Sequence, residues 1–316
     1  MEVNSFMEWR KSGLKKIIFM LIVLIVGTVY AGNATYKKNK KILTSIQSVY
    51  SIAKSLTEGT NIEVYSIFDS DVSMDYGKSA FDNKDLDLSS AKDAVAVVDV
   101  TRVWGNDYLY EYARRKNIRI VEIDASYSFS GNDYLSLSLL NYKNGDRNPY
   151  VWMSFQNVIK MANIAADDLS ELFPEDSKKI EDNLEKFSQE IKEIENGYLE
   201  KTLDLSSLSV ITLTENLDYL FNDLNIFFNY IDSNELTVEK ISEVMKRNNS
   251  KIFVSDRWIK KEIINEIEKK GGKFIVLDTF NIPRELNEKM DPDGYIKGMK
   301  ENMEKLVEVM KFMDKK

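Results

Sequence analysis

The chain has 316 residues, 43% hydrophobic and 30% charged, the mixture of a folded protein with room for two domains. It contains neither cysteine nor histidine, which excludes disulfides, thiolate chemistry, Ser-His-Asp or Cys-His catalysis, and metal sites built on imidazole or thiolate. Net charge is −8 and basic residues dominate the first 40 positions, so the rest is strongly acidic and nucleic acid is not an expected partner.

Arg10, Lys11, Lys15 and Lys16 precede the apolar run Ile17–Val26, which continues more weakly through Ala31. This is a basic n-region followed by an h-region. Val29-Tyr30-Ala31 offers small residues to a signal peptidase. The run is short against the roughly 20 apolar residues of a spanning helix. With Gly27 to Ala34 counted it just reaches, so a cleaved signal peptide and an uncleaved membrane anchor both stay open. The flanking lysines place residues 1–16 in the cytoplasm. The expectation is export, with residues 41–316 at the extracellular face of the cytoplasmic membrane, anchored or released.

From Lys41 the pattern changes to short apolar strands alternating with helices, the mark of parallel β/α units. Strands are expected at Lys41–Ser45, Asn61–Phe68, Ala94–Val98 and Ile118–Ile123, with helices over Val49–Leu56 and Tyr108–Lys116. Residues 125–149 read as a loop. Ser154 is placed to cap a helix ending near Leu172. Pro174 then suits the first turn of a long helix whose stripe is Ile180, Leu184, Phe187, Ile191, Ile194 and Tyr198. The array then repeats. Strands are expected at Leu208–Leu213, Ile226–Tyr230, Lys251–Val254 and Lys273–Leu277, the last read as buried. Helices are expected over Leu217–Asp223, from a Thr237 cap to Arg247, over Trp258–Lys270 and from Tyr295 to Phe312, with Gly271-Gly272 stopping the third. The fold class is therefore α/β: two lobes with parallel sheets and flanking helices, bridged by one long helix, with a ligand cleft between them. The divisions are 1–40 for the signal or anchor and tether, 41–172 for the first lobe, 173–200 for the bridge and 201–316 for the second lobe.

Several segments carry a resemblance. Thr44–Tyr50, the run Asn148-Pro149-Tyr150-Val151-Trp152-Met153-Ser154, Ile211–Tyr219, the strands Lys251–Ser255 and Phe274–Asp278, and the helix Tyr295–Leu306 occur in the order and spacing of one family. The chain resembles the metal-binding solute-binding proteins of ABC transporters, the zinc and manganese receptors. The resemblance implies a non-enzymatic uptake receptor working with a cognate ABC permease and ATPase, expected as a monomer without a cofactor. Its metal ligands would fall at Met74, Tyr150, Thr214 and Asp278, where the family carries histidines, or histidines and a glutamate, and then an aspartate. Only Asp278 matches. A thioether, a phenol, a hydroxyl and one carboxylate do not make a tetrahedral zinc site. The four are therefore expected to line a cleft for an unknown small solute or cation, with the usual metal site lost. The alternative is a surface interaction or structural protein on the same fold that binds no small molecule.

Two further patterns concern hard cations. Asp69, Asp71, Ser73 and Asp75 are spaced like the start of a calcium loop, but Met74 stands where Gly is needed and Ala80 where Glu is needed. Asp69, Asp99, Asp124, Asp256 and Asp278 all follow expected strands, where aspartates also serve as turn formers.

Overall fold

In the computed structural model, residues 40–69, 71–83, 86, 88–128 and 133–314 are described. The expected signal or anchor segment, apart from Lys40, lies outside them.

The first lobe is built from β1 (Lys41–Thr44), α1 (Gln47–Leu56), β2 (Glu63–Ser66), β3 (Ala96–Asp99), α2 (Leu109–Lys116) and β4 (Val121–Asp124). Its strands pair in parallel in the order β2-β1-β3-β4. Ile42 faces one hydrophobic cluster and Leu43 another, so the sheet is covered on both sides. α3 (Phe155–Leu172) and α4 (Ser177–Thr202) follow. Ser154 does cap α3: its Oγ accepts from the Asn157 N–H at 3.1 Å. α4 has 26 residues and buries Ile180, Phe187, Ile191, Ile194 and Tyr198 of the expected stripe, with Leu184 only half-buried against the same core. It starts later than Pro174 because Phe173–Asp176 forms a turn first, with the Asp176 N–H on the Phe173 carbonyl at 2.9 Å.

The second lobe repeats the first: β5 (Ser209–Thr212), α5 (Asp218–Asp223), β6 (Phe227–Tyr230), α6 (Ile241–Asn248), β7 (Ile252–Ser255), α7 (Lys261–Lys269) and β8 (Lys273–Val276). The order β6-β5-β7-β8 is the same and every pairing is parallel. A short antiparallel ribbon, β9 (Glu285–Leu286) with β10 (Lys289–Met290), leads into α8 (Gly294–Asp314).

Three local expectations need correction. Thr237 makes no side-chain cap; a 3-10 turn over Val238–Lys240 intervenes before α6. α7 begins at Lys261 rather than at Trp258, which stands 76% exposed. β8 is a sheet edge and only half-buried, because nothing pairs with its outer side among the described strands.

One hydrophobic cluster runs from Ile42 in β1 through Trp152, Phe187 in α4 and Val254 in β7 to Met310 in α8. The lobes thus have separate sheets but a shared core. The segment from Arg284 into α8 reinforces this by reaching back to the first lobe. Gln47 in α1 donates to the Asp291 carbonyl at 2.8 Å and accepts from the Arg284 N–H at 2.8 Å, and Tyr295 Oη donates to the Trp152 carbonyl at 2.6 Å.

Candidate functional site

Ligands of open α/β sheets lie beyond the carboxyl ends of the strands. In the first lobe, the chain leaving β2 forms a turn at Met74–Tyr76, capped by Ser73 Oγ accepting from the Asp75 N–H at 3.1 Å. The second lobe clasps this turn. The Met74 N–H donates to the Asn281 carbonyl at 2.9 Å, Ser73 Oγ donates to Asn281 Oδ1 at 3.2 Å, and Asn281 Nδ2 donates to Asp75 Oδ2 at 3.0 Å. The Met74 side chain is buried and borders a cavity of about 10 Å³ shared with Phe68, Phe81, Trp104 and Phe280. A space of that size holds one water at most.

Tyr150 enters the turn Val151–Met153 and is 5% exposed. Its ring lies 5.3 Å from that of Trp152, whose indole N–H donates to the Thr279 carbonyl at 3.0 Å. Burial pushes the Tyr150 hydroxyl pKa up; Tyr142, Asp75 and Asp256 add to this and Arg257 opposes it.

Thr214 follows β5, and its Oγ1 accepts from the Asn216 N–H at 3.2 Å. With Asn216, Tyr230, Asp256 and Trp258 it borders an open crevice of about 1000 Å³ at the carboxyl ends of β5, β6 and β7. A polar chain runs from this crevice to the lobe junction. Tyr142 Oη donates to Asn216 Oδ1 at 2.8 Å, Asn216 Nδ2 to Asp256 Oδ2 at 2.7 Å, and Arg257 Nε to Asp256 Oδ1 at 3.1 Å. Arg257 Nη2 lies 4.0 Å from Asp75 Oδ2, on the other lobe.

Asp278 follows β8. Its Oδ1 accepts from the Phe280 N–H at 2.7 Å and its Oδ2 from Arg284 Nη1 at 3.2 Å. Asn302 in α8 holds the Asp278 backbone on both sides, each bond 2.8 Å long. Burial pushes the carboxyl pKa up, with the Phe280 N–H and Arg284 opposing.

Tyr150 therefore shares one polar neighbourhood with Asp75, the neighbour of Met74, and with Asp256, which Asn216 links to Thr214. The Asp278 carboxylate pairs with Arg284. Among the described residues no group of three or more acidic side chains could hold a metal ion. Two of the strand-end aspartates serve turns: Asp124 accepts from the Arg102 and Ser126 N–H groups, both at 2.8 Å, as Asp278 does from Phe280. Sequence reasoning missed Arg257, Arg284 and Asn281. The available signal was an arginine directly after the strand-end Asp256 and another shortly after Asp278.

The family model for ZnuA, the periplasmic component A of zinc-uptake complexes, matches residues 42–309. The chain belongs to this family. Its members are solute-binding, extracytoplasmic components of metal-type ABC uptake systems and are not enzymes. No curated protein sequence matches. Among solved structures, an FpvC mutant from Pseudomonas aeruginosa is 16% identical with a TM-score of 0.68, over 86% of this chain and 99% of that one. The metal-dependent lipoprotein YcdH from Bacillus subtilis is 16% identical with a TM-score of 0.66, over 85% and 98%. The Zn(II)-bound ZnuA-like domain of AdcA from Streptococcus pneumoniae is 18% identical with a TM-score of 0.65, over 86% and 99%. At these identities the likeness establishes the ZnuA fold. No helix among the described residues is long and apolar enough to cross a membrane.

Proposed function

We propose that this protein is an exported receptor of a metal-type ABC uptake system in which the usual metal site is lost. Lobes 41–172 and 201–316, joined by 173–200, serve a cognate permease and ATPase as a monomer. Residues 1–40 act as signal peptide or membrane anchor. Met74, Tyr150, Thr214 and Asp278 line the place where ligand is sensed but do not hold zinc tightly.

The observation that carries this reading is the ion pair of Asp278 with Arg284 at 3.2 Å. Asp278 is the one carboxylate among the four positions, and it already has a counter-charge. Structural zinc sites owe apparent binding of about 10–16 kcal/mol to four good donors, and three are missing here. A ligand bound only by the native state stabilises it by RT ln(1 + [L]/Kd), so added zinc is expected to leave the melting temperature unchanged. Calorimetric titration showing nanomolar one-to-one zinc binding, abolished by Asp278→Ala, would overturn the reading.

The second reading is a surface interaction protein that binds no small molecule. It is favoured by the cavity beside Met74, which Phe68, Phe81, Trp104 and Phe280 reduce to about 10 Å³.

A further inference from the structure

The acidic body has a basic end. From Arg114 to Val121 the chain carries Arg114, Arg115, Lys116 and Arg119 and no acidic residue. All four are exposed, and Ile118 stands 80% exposed among them. Arg115 pairs with Glu111 and Arg114 lies over the Tyr110 ring, whereas Lys116 and Arg119 form no ion pair with a described residue. Three of the cations sit in the last turn of α2, where they complement the negative end of the helix. That explains neither Arg119, which lies beyond the helix, nor an isoleucine held out in water. The connector is pinned: Asn117 Nδ2 donates to the Ala94 carbonyl at 2.8 Å, and Asn117 Oδ1 accepts from the Arg119 N–H at 3.1 Å. The chain enters the body at the same end. The Val95 N–H donates to the Lys41 carbonyl at 2.8 Å and the Val121 N–H to the Val95 carbonyl at 3.0 Å, so the amino ends of β1, β3 and β4 lie side by side. Two strand spacings put Val121 about 10 Å from Lys41. Between Lys40 and the apolar run Ile17–Val26 stand residues 27–39, at most about 45 Å of extended chain.

We propose that the Arg114–Val121 connector is a docking surface for an anionic phospholipid bilayer, with Ile118 entering the headgroup layer and Arg114, Lys116 and Arg119 facing lipid phosphates. An apolar tip ringed by cations is how a peripheral protein holds such a surface. Each cation close to it strengthens association about fivefold. The rest of the body carries the excess of acid and is repelled, and screening over about 8 Å lets the nearest charges decide. The field therefore orients the molecule as well as holding it. The turn at Met74–Tyr76 follows the carboxyl end of β2, at the opposite end of this sheet, so the candidate site stays clear of lipid. The inference rests on the reading that residues 1–40 export or anchor the chain, and it uses none of the four ligand positions.

The chain has no cysteine, so Ile118→Cys gives one attachment point for an environment-sensitive fluorophore. The full chain so labelled is mixed with vesicles of phosphatidylglycerol or of phosphatidylcholine. With phosphatidylglycerol the emission is expected to shift to the blue and to be quenched by lipid-borne spin labels. With phosphatidylcholine neither is expected, and high salt should abolish both. The same label on Leu203→Cys, at the far end of α4, should report water in either lipid. Arg114→Glu combined with Arg119→Glu should lower the ratio of quenched to unquenched label by about 25-fold or more. The proposal fails if the Ile118 label stays in water with phosphatidylglycerol, if phosphatidylcholine gives the same shift, or if the double variant keeps it. A shift that appears without vesicles and grows with protein concentration would mean that a second copy covers the connector, and overturns it too. Flotation of the full chain with phosphatidylcholine vesicles tests the anchor separately. Its absence refutes an uncleaved anchor, and the label with phosphatidylglycerol still decides the connector.

Discussion

Asp99 ends β3 fully buried, and neither carboxylate oxygen has a hydrogen-bond partner. Burial pushes its pKa well above the ordinary 3.8; Asp107, Asp124 and Glu122 add to the rise, and the Thr101 backbone offsets it weakly. Asp107 is itself raised to about 6, chiefly by burial, while Ser45 Oγ and the Leu109 N–H oppose the shift. For an acid whose pKa is raised by folding, the native state binds the extra proton. Stability is then full at low pH and falls as pH rises from the unfolded value through the folded one, at about 1.4 kcal/mol per pH unit for each such group. Asp99→Asn removes one of these protons. The variant is expected to melt above wild type at pH 8, with the difference closing as pH falls toward 4. A pH-independent difference in melting temperature would contradict the assignment.

At the scale of elements, Ser154 does two jobs. It caps α3 and donates to Asp223 Oδ2 at 2.8 Å, while Asp223 also accepts from the Gln156 N–H at 3.4 Å. Ser154→Ala should cost about 1–2 kcal/mol, read as a lower denaturation midpoint at unchanged slope. Gly272 is a second such point. Its Cβ would lie 2.7 Å from the Lys251 carbonyl and 2.5 Å from Met245, where α7 turns into β8. Gly272→Ala should destabilise more than Gly271→Asn, because Gly271 has open space around it and a φ of +78° that asparagine tolerates.

These elements also mark what was legible from sequence. The stripe of α4 and the alternation of strands with helices are periodic signals, and both sheets followed from them. The start of α4 was not legible, because Phe173–Asp176 satisfies its own backbone in a turn that no side-chain spacing announces. Nor was β8 as an edge: Phe274, Ile275 and Val276 are apolar in either position. Of the site, the strand-end aspartates and Met74, Tyr150 and Thr214 could be placed along the chain. Their partners could not. Arg257 facing Asp75, and Arg284 facing Asp278, depend on how segments far apart in sequence or folded back on themselves come to lie side by side.

For the whole molecule, the decisive feature is the core shared across the lobes. α4 and α8 both contribute to it, and Gln47 fastens the chain around Arg284–Asp291 to α1. The body from Lys40 onward should therefore unfold in one calorimetric transition, with van't Hoff and calorimetric enthalpies in agreement. Gln47→Ala leaves the Arg284 N–H without its acceptor and the Asp291 carbonyl with the Gly294 N–H alone, and should lower the single transition rather than split it. Two resolved transitions would mean that the lobes fold separately.

The repetition of one strand order in both sheets has a further consequence. In the first, Ile42 pairs with Ala96 and Leu43 with Val97; in the second, Ile211 pairs with Phe253 and Thr212 with Val254. Superimposing these ladders rung on rung carries Asp99 onto Asp256. The molecule thus holds the same aspartate twice, in duplicate scaffolding, once without a counter-ion and once with Arg257. The two copies have diverged in their surroundings: Asn216 and Arg257 hold Asp256, whereas Asp99 sits among Asp107, Asp124 and Glu122, so one scaffold position serves a paired carboxylate in one lobe and a carboxyl pushed toward its protonated form in the other.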